Sequence, residues 1–328
     1  MTISPLVSVI IPTYNYAHYI CEAVDSVLAS DFPIEQVEIV IVDDGSTDDT
    51  AERVLLYQDR VKYIFQTNFG KAQATKIAIQ NTTGQYIFNL DADDLFLPEK
   101  IRKVVEVFES DASIVHVSHP ATHWNVDENI RKVEIIPQKI LGEKVSGKTL
   151  LSYFYRQGIQ FGGGSTFAAR ADVLKNFTIP KEVDMYIDEF MLLATLNQGY
   201  SFFLEQPLSI WRVHNKNFSV NKSILNQKFQ RSLVSVEAVL NELSILGIDE
   251  KVKRIYQLKT LGLSLAVKEQ LQEKSGLDIL KLWISFFDNV SFFGLDAFKI
   301  AKNLRLLNRA LPTPLITTLR KLSAGLKI

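Results

Sequence analysis

Three carboxylates directly follow one apolar segment of this chain. Residues 86–90 carry no charge and are mostly β-branched or aromatic, a pattern that predicts a buried strand, and Asp91, Asp93 and Asp94 come next. Like charges at this spacing repel one another, and core packing gives no reason for them. A divalent cation does, because Mg²⁺ or Mn²⁺ is usually held by one or two protein carboxylates, with water and substrate phosphate oxygens as further ligands. The alternative is a solvated acidic turn before the helix that Pro98 opens.

Phosphate is the ligand that such a cation would bring. A cluster of carboxylates binds a nucleotide diphosphate only through a cation that inverts the local charge. Lys71 follows a glycine at a predicted helix start, where backbone N–H groups favour phosphate, although a solvated lysine is the alternative. The chain has no GxxxxGK[ST] motif and no GxGxxG after its first strand, so neither a P-loop ATPase nor a nicotinamide dehydrogenase is supported.

Strands and helices alternate in the first two thirds of the chain. Apolar runs predict strands at residues 6–11, 37–42, 63–66, 85–90 and 114–117, and helical periodicity predicts helices at residues 20–28, 50–57, 72–80 and 98–108. This alternation indicates an α/β fold with a mostly parallel sheet, helices on both faces, and a ligand site beyond the carboxyl ends of the strands. Polar residues 13–15, 43–44 and 91–94 follow three of these strands, which predicts one shared site.

Composition indicates a globular protein. The 328 residues are 47% hydrophobic, and Cys21 is the single cysteine, so a disulfide framework is excluded and a reducing compartment is expected. The N-terminal apolar run is short and lacks a basic n-region, and no uncharged apolar run of about eighteen residues occurs. We therefore expect a cytoplasmic protein.

The net charge of −1 conceals an asymmetry. From Val213 onward the chain has 18 basic and 9 acidic residues, and its periodicity is helical almost throughout. We expect one domain at residues 1–218 and a basic helical region at residues 219–328. In residues 295–311 an apolar face lies beside Lys299, Lys302, Arg305 and Arg309, a pattern typical of binding to an anionic membrane surface on the inner face of the plasma membrane. A helical cap or a homodimer contact is the alternative, and no nucleic-acid-binding motif accompanies the charge.

Four ordered blocks of sequence resemble the family 2 glycosyltransferases, which have the GT-A fold. They are residues 7–15 (VSVIIPTYN), 39–48 (IVIVDDGSTD), 68–72 (NFGKA) and 84–94 (GQYIFNLDADD). The resemblance covers about residues 5–215 and leaves the tail uncovered.

The resemblance implies roles for individual residues. The block with Pro12, Thr13, Tyr14 and Asp44 would hold the nucleotide base and ribose, with the Tyr14 ring near the base unless Tyr14 only packs. Asp93 of the DxD motif would bind Mn²⁺ or Mg²⁺, and Asp91 would reach the ribose or support the metal shell. Lys71 would reach the phosphates, although Phe69 replaces a family glycine.

The second half of the site would supply a general base, which removes the proton of the acceptor hydroxyl. The resemblance assigns this role to Asp188, with Glu189 or Asp184 as alternatives. The glycines of residues 162–164 would lie beside the donor sugar, or form an ordinary tight loop. In the ending Trp211-Arg212-Val213-His214, Arg212 would meet the diphosphate and His214 would bind the metal, or His214 would be structural.

The sequence therefore predicts an inverting, metal-dependent hexosyltransferase-type enzyme. It would move a sugar from a nucleotide-diphosphate sugar to a hydroxyl acceptor, a glycan or a lipid-linked glycan, in bacterial surface polysaccharide or glycolipid assembly. The alternatives are a catalytically inactive nucleotide-sugar-binding or membrane adaptor protein and a sugar nucleotidyltransferase. The latter normally has a glycine-rich basic loop where residues 12–15 stand.

Overall fold

The computed structural model describes residues 5–215, 217, 225–304 and 306. The chain divides into two compact units: unit 1 comprises Met1–Leu150 and Phe161–Lys222, and unit 2 comprises Leu151–Gln160 and Ser223–Ile328. The predicted domain boundary, between residues 218 and 219, lies outside the described residues and stays a prediction.

Unit 1 contains two sheets. Its strands are β1 (Val7–Thr13), β2 (Val37–Asp43), β3 (Val61–Phe65), β4 (Tyr86–Asn89), β5 (Leu95–Phe96), β6 (Ile114–Ser118), β7 (Ala121–Asn125), β8 (Ile130–Val133), β9 (Lys144–Ser146), β10 (Ala168–Arg170), β11 (Tyr200–Phe203) and β12 (Ser209–Val213). The larger sheet has the order β3-β2-β1-β4-β10-β6-β11-β9, and the smaller sheet has the order β5-β12-β7-β8.

The helices of the chain follow the predicted alternation in its first part. They are α1 (Ile20–Leu28), α2 (Thr50–Leu55), α3 (Lys71–Gln80), α4 (Lys100–Ser110), α5 (Gly147–Gln157), α6 (Ala171–Lys175), α7 (Ile187–Leu196), α8 (Leu225–Glu242), α9 (Glu250–Gln270), α10 (Gly276–Phe293) and α11 (Asp296–Asn303).

The centre of the larger sheet is covered on both faces. All seven residues of β1 are buried. Val7, Val9 and Ile11 join one apolar core with residues of α1 and α4, and α3 packs against β1 and β2. Since successive side chains of a strand point to opposite faces, this burial requires helices on both sides. The predicted α/β fold with a helical C-terminal region is confirmed.

The sheets are mixed. β1 pairs in parallel with β2 and β4, whereas β10 lies antiparallel between β4 and β6. The smaller sheet was not predicted, because its strands are short and their burial ranges from mostly buried in β12 to exposed throughout in β8.

Unit 2 contains the helical part of the chain. α8, α9 and α10 agree with the helical periodicity predicted after Val213, and Ile255, Tyr256, Leu282 and Phe286 are buried in this unit. In the described part of the chain, no helix is long and apolar enough to cross a membrane.

The predicted helix at residues 295–311 is only partly described. α11 ends at Asn303, and Arg305, Arg309 and Leu311 lie outside the described residues. Ala301, a residue of the apolar face within this segment, is fully buried. Phe298 remains 49% exposed and packs edge-on against Phe286. The described part of this apolar face therefore packs partly into unit 2.

Candidate active site

Three neighbouring strands end at one edge of the larger sheet. β2, β1 and β4 lie side by side and run in parallel, with Thr13 opposite Asp43 and Ile10 opposite Asn89. The polar segments that follow these strands therefore converge, as the sequence predicted. Ligands of open α/β sheets bind at this kind of edge.

The segment after β1 leaves Tyr14 open to solvent. Its side chain is 44% exposed, while the backbone N–H of Asn15 donates to Ser46 Oγ at 2.8 Å and Asn15 Oδ1 accepts from the Thr47 N–H at 2.8 Å. These contacts connect the loops after β1 and β2. Pro12 and Thr13, which precede Tyr14, are buried. The exposed Tyr14 ring itself is open to a planar ligand from solvent.

Asp44 is a buried anchor for the loop before α3. Its Oδ1 accepts hydrogen bonds from Gln66 Nε2 at 2.6 Å and from the Phe69 N–H at 2.8 Å, and its Oδ2 accepts from the Gly70 N–H at 2.8 Å. Gly70 has φ +96°, which glycine adopts without strain. Asp44 therefore sets the position at which α3 begins, and a contact with the nucleotide stays a prediction.

Lys71 joins two distant carboxylates. Its Nζ lies 3.0 Å from Asp91 Oδ1 and 3.2 Å from Asp188 Oδ2. Lys71 is the first residue of α3, Asp91 follows β4, and Asp188 lies in the first turn of α7. The sequence-predicted phosphate ligand, DxD residue and base are thus brought into direct contact.

Neighbouring charges shift the pKa values of Lys71 and Asp91. Burial alone would lower the pKa of Lys71, but Asp188 and Asp91 together raise it above its ordinary value. Burial raises the pKa of Asp91, Lys71 opposes this shift, and Asp188 and Asp93 add to it. The ammonium therefore stays charged at neutral pH.

Three acids near the start of α7 differ in what they can reach. Glu189 is only 5% exposed. Asp184 accepts a hydrogen bond from the Ala72 N–H at 3.4 Å, at the N-terminus of α3. The Asp188 side chain is 36% exposed and faces Lys71. Asp188 is therefore the best placed of the three to accept a proton from a ligand.

The glycine loop of residues 162–164 lies against the same carboxylates. A Cβ on Gly163 would come within 3.4 Å of Asp188 Cβ, and one on Gly164 within 3.6 Å of Asp91 Oδ2. Next in the chain, Ser165 Oγ accepts from the Asp91 N–H at 3.0 Å and donates to Asp94 Oδ2 at 2.5 Å. The glycine loop thus borders the site, and Ser165 stabilises the acidic turn of residues 91–94 through these two hydrogen bonds.

Asp93 is buried and contacts a second group of polar side chains. Its Oδ2 accepts from Asn217 Nδ2 at 2.8 Å and lies 3.2 Å from His214 Nε2. The Tyr16 hydroxyl also donates to Asp93, and burial followed by the charge of Asp93 raises the pKa of Tyr16 above its ordinary value. The Tyr19 ring stacks on His214 with centroids 4.4 Å apart. His214 and Asp93 are therefore held side by side.

These two residues fit a divalent cation. Neighbouring ligands of an octahedral ion at about 2.1 Å are separated by about 3 Å, close to the observed gap between the Asp93 oxygen and the His214 nitrogen. The described part of the chain contains no group of three or more His, Cys, Asp or Glu side chains suited to a metal. Water and substrate phosphate oxygens commonly complete the coordination of such an ion.

Arg212 makes contacts that the sequence did not predict. The side chain is 2% exposed, its Nε donates to the Asp93 carbonyl oxygen, and its guanidinium pairs with Glu22 and lies over the Tyr19 ring at 4.7 Å. Its backbone N–H donates to Asp94 Oδ1 at 2.9 Å. Arg212 thus supports the acidic turn, and its contact with a diphosphate stays a prediction.

Sequence reasoning missed Tyr16, Asn217 and Ser165. Tyr16 lies one residue beyond the first block that resembles the family, and Asn217 belongs to a polar stretch that indicated only a domain boundary. The spacing of His214 and Asn217 was the available signal, since the Asn217 side chain accepts from the His214 N–H at 2.5 Å.

Comparison with known proteins identifies relatives of unit 1. The Glycosyl transferase family 2 profile matches residues 8–178. An uncharacterised glycosyltransferase of Nostoc sp. is 35% identical over 220 residues, which cover 64% of this chain and 66% of that relative. The match covers about a third of two rickettsial relatives, so the chain spans between a third and two thirds of the length of these relatives.

Solved structures share the fold at low sequence identity. The crystal structure of S. aureus TarS 1–349 in complex with UDP-GlcNAc has a TM-score of 0.58 and 18% identity, and the match covers 94% of this chain and 93% of that one. The mannosyltransferase PcManGT from Pyrobaculum calidifontis, in complex with GDP-Man and Mn²⁺, has a TM-score of 0.52 and 19% identity, with 94% and 86% covered.

Proposed function

The chain belongs to glycosyl transferase family 2 and has the GT-A fold, and from this premise we propose that it transfers a sugar from a nucleotide-diphosphate sugar to a hydroxyl acceptor with inversion at the anomeric carbon. The observation that carries the proposal is the contact of Lys71 with both Asp91 and Asp188. This contact supports a cation for the diphosphate and a partly exposed carboxylate for the acceptor proton near the strand ends.

Asp188 would be the general base. The acceptor hydroxyl attacks the anomeric carbon from the face opposite the diphosphate, and its proton passes to the Asp188 carboxylate. The new bond to the acceptor oxygen forms as the bond to the diphosphate breaks, with the electron pair remaining on the diphosphate oxygen. The buried position of Glu189 and the hydrogen bond of Asp184 to α3 support this choice.

The donor would lie along the strand ends. Pro12, Thr13 and Tyr14 would border the base and ribose, with the exposed Tyr14 ring stacking on the base. Asp44 would act mainly through the loop that it holds, and Asp91 would approach the ribose. Lys71 would pair with the diphosphate, with Arg212 supporting the acidic turn from the buried side.

Asp93 and His214 would hold Mn²⁺ or Mg²⁺, and Tyr16 and Asn217 would orient the Asp93 carboxylate. When bound, the ion would neutralise the charge that develops on the leaving diphosphate. The structural relative with Mn²⁺ and GDP-Man supports this assignment at the level of the fold. Because one fold serves many donors, the nucleotide and the sugar have to be identified by experiment.

The acceptor would be a glycan or lipid-linked glycan of the bacterial surface. The protein would act in the cytoplasm, on the inner face of the plasma membrane. The excess of basic residues after Val213 supports attraction to an anionic membrane surface.

A screen of UDP-, GDP- and dTDP-sugars for thermal stabilisation tests the proposal. At a donor concentration of 100 times Kd the stabilisation is about 2.7 kcal/mol, which for a unit of this size raises Tm by roughly 5–10 °C. The rise should occur with Mn²⁺ and be lost in EDTA.

Asp93→Asn should lose the metal-dependent part of donor binding in titration calorimetry. Asp49→Asn, an exposed acid after β2 with no side-chain cap bond, is the matched control. Equal affinity with and without metal in both proteins would remove the cation from the proposal. Donor binding without any transfer would favour the adaptor alternative.

A further inference from the structure

One face of α10 exposes large apolar side chains at regular spacing. Leu277, Leu280, Ile284 and Phe287 are 60%, 54%, 61% and 61% exposed. Single exposed apolar residues are ordinary on protein surfaces, but four in one row along a helix form a contiguous patch that marks an interaction site. The opposite side of α10 carries Leu282 and Phe286, which are buried within unit 2. The helix thus has two apolar sides, and its own unit covers one of them.

The spacing of the exposed row is that of a helix–helix seam. Intervals of three, four and three residues match the alternating three- and four-residue spacing of a heptad seam, so the row stays on one line along the helix. Trp283 and Val290 lie half-buried along one flank and widen the seam. The Trp283 ring stacks on Phe287 with centroids 5.7 Å apart. A second helix is the partner that fits such a row.

The other flank carries one charge of each sign. Lys281 and Asp288 are both exposed and lie seven residues apart, at equivalent positions beside the seam. When two copies of such a helix pair antiparallel, the same flank of each helix meets across the seam, and the two flanks run in opposite directions. Lys281 of one copy then approaches the partner's Asp288, and the twofold axis repeats the ion pair. In a parallel pair this flank would instead face the apolar flank of Trp283 and Val290.

Asp288 has room for this partner. It accepts from Arg254 Nη1 at 2.7 Å within its own unit, but its side chain remains 62% exposed. An anionic membrane fits the face less well, because helices that bind such surfaces have basic flanks. α10 itself has two acids, Asp278 and Asp288, against one base, Lys281.

We propose that the exposed face of α10 is a homodimer interface, occupied by α10 of a second copy of this chain in antiparallel orientation. The seam is centred near Ile284, and two pairs of Lys281 with the partner's Asp288 fix its direction. The four-residue row predicts a reversible dimer whose population depends on concentration.

Sedimentation of the full chain, from micromolar to hundred-micromolar concentration, tests this inference. Wild type should shift from monomer to dimer. Ile284→Glu should raise the dimer Kd at least about tenfold, since it removes apolar surface from the centre of the seam and places a charge there. Ile245→Glu is the matched control, because Ile245 is 78% exposed in the same unit and lies outside the seam. Equal melting curves would show that both variants fold.

The direction of the pair is tested by charge exchange. Lys281→Glu and Asp288→Lys should each weaken self-association by about two- to tenfold, the range for exposed ion pairs that turn repulsive. An equimolar mixture of these two variants should form the heterodimer, because each contact then pairs opposite charges.

A wild type that stays monomeric at every concentration overturns the proposal. So does a dimer that Ile284→Glu leaves intact, or a mixture that associates no better than its parts. Monomeric wild type that binds anionic vesicles, and loses that binding in Ile284→Glu, would assign the face to a membrane instead.

Discussion

Asp44→Asn separates a structural role of this residue from direct contact with the nucleotide. The carboxylate is 4% exposed and accepts three hydrogen bonds from the segment that leads into α3. An asparagine has one acceptor oxygen and one N–H₂ group in the same volume. Whichever way the amide lies, at least one backbone N–H of Phe69 or Gly70 then faces another donor.

The expected cost follows from these contacts. A hydrogen bond to a charged group is worth about 1.5–3 kcal/mol, and a buried donor left without a partner adds to this loss. We expect Asp44→Asn to lower the free energy of unfolding by about 2–4 kcal/mol. For a unit of 150–250 residues this corresponds to a fall in Tm of roughly 4–16 °C. Donor affinity should fall as well, because Lys71 directly follows the loop.

Differential scanning calorimetry and donor titration on the same samples measure both effects. Asp49→Asn removes the same charge from the same loop without a side-chain cap bond, so its Tm should stay near wild type. If Asp44→Asn melts within about 1 °C of wild type while donor binding is lost, the anchoring argument is refuted and Asp44 contacts the nucleotide directly.

Three further perturbations test other parts of the molecule. Asp188→Asn should cut turnover by roughly 10²- to 10⁴-fold with donor affinity unchanged in calorimetry; retained turnover would move the base to Glu189 or Asp184. Burial lowers the pKa of His116 from 6.5 to about 4, so the unfolded chain takes up this proton first on acidification, and stability should fall by about 2 kcal/mol between pH 7.5 and 5. His116→Gln should melt with a shallower pH dependence over that range, and an unchanged slope would contradict the assignment. Replacement of the four basic tail residues by glutamine should abolish low-salt co-sedimentation with anionic vesicles, at about 1 kcal/mol per residue, and a variant that sediments like wild type would make the tail a structural cap. These residues are Lys299, Lys302, Arg305 and Arg309.

The alternation of strands and helices was predictable because it depends on local periodicity. β1, β2 and β4 were found within two residues of their ends, since each is a buried run with a polar residue at its carboxyl end. β10 was not found, because three residues carry no periodic signal and their place between β4 and β6 depends on pairing with distant strands.

The site residues were predictable as types, and their partners were not. The acids and Lys71 lie in blocks that resemble a known family, whereas the contacts of Lys71 with Asp188 and of Asp93 with Asn217 join residues more than a hundred positions apart. Such contacts depend on how α7 and β12 dock on the sheet. Arg212 illustrates the limit. An arginine at this position suggested a phosphate ligand, whereas in the structure its guanidinium contacts Glu22 and Tyr19.

The antiparallel course of β10 restricts how the glycine loop can vary in length. β10 enters the sheet from the site edge, with Ala168 opposite Phe88, and the Asn89 N–H donates to the Phe167 carbonyl oxygen at 3.1 Å. Only two residues lie between Ala168, the first paired residue of β10, and Ser165, which is hydrogen-bonded to Asp91 and Asp94. One inserted residue there would move Ser165 by about 3.3 Å and break both contacts. The spacing between the glycine loop and β10 is therefore fixed by the two contacts of Ser165.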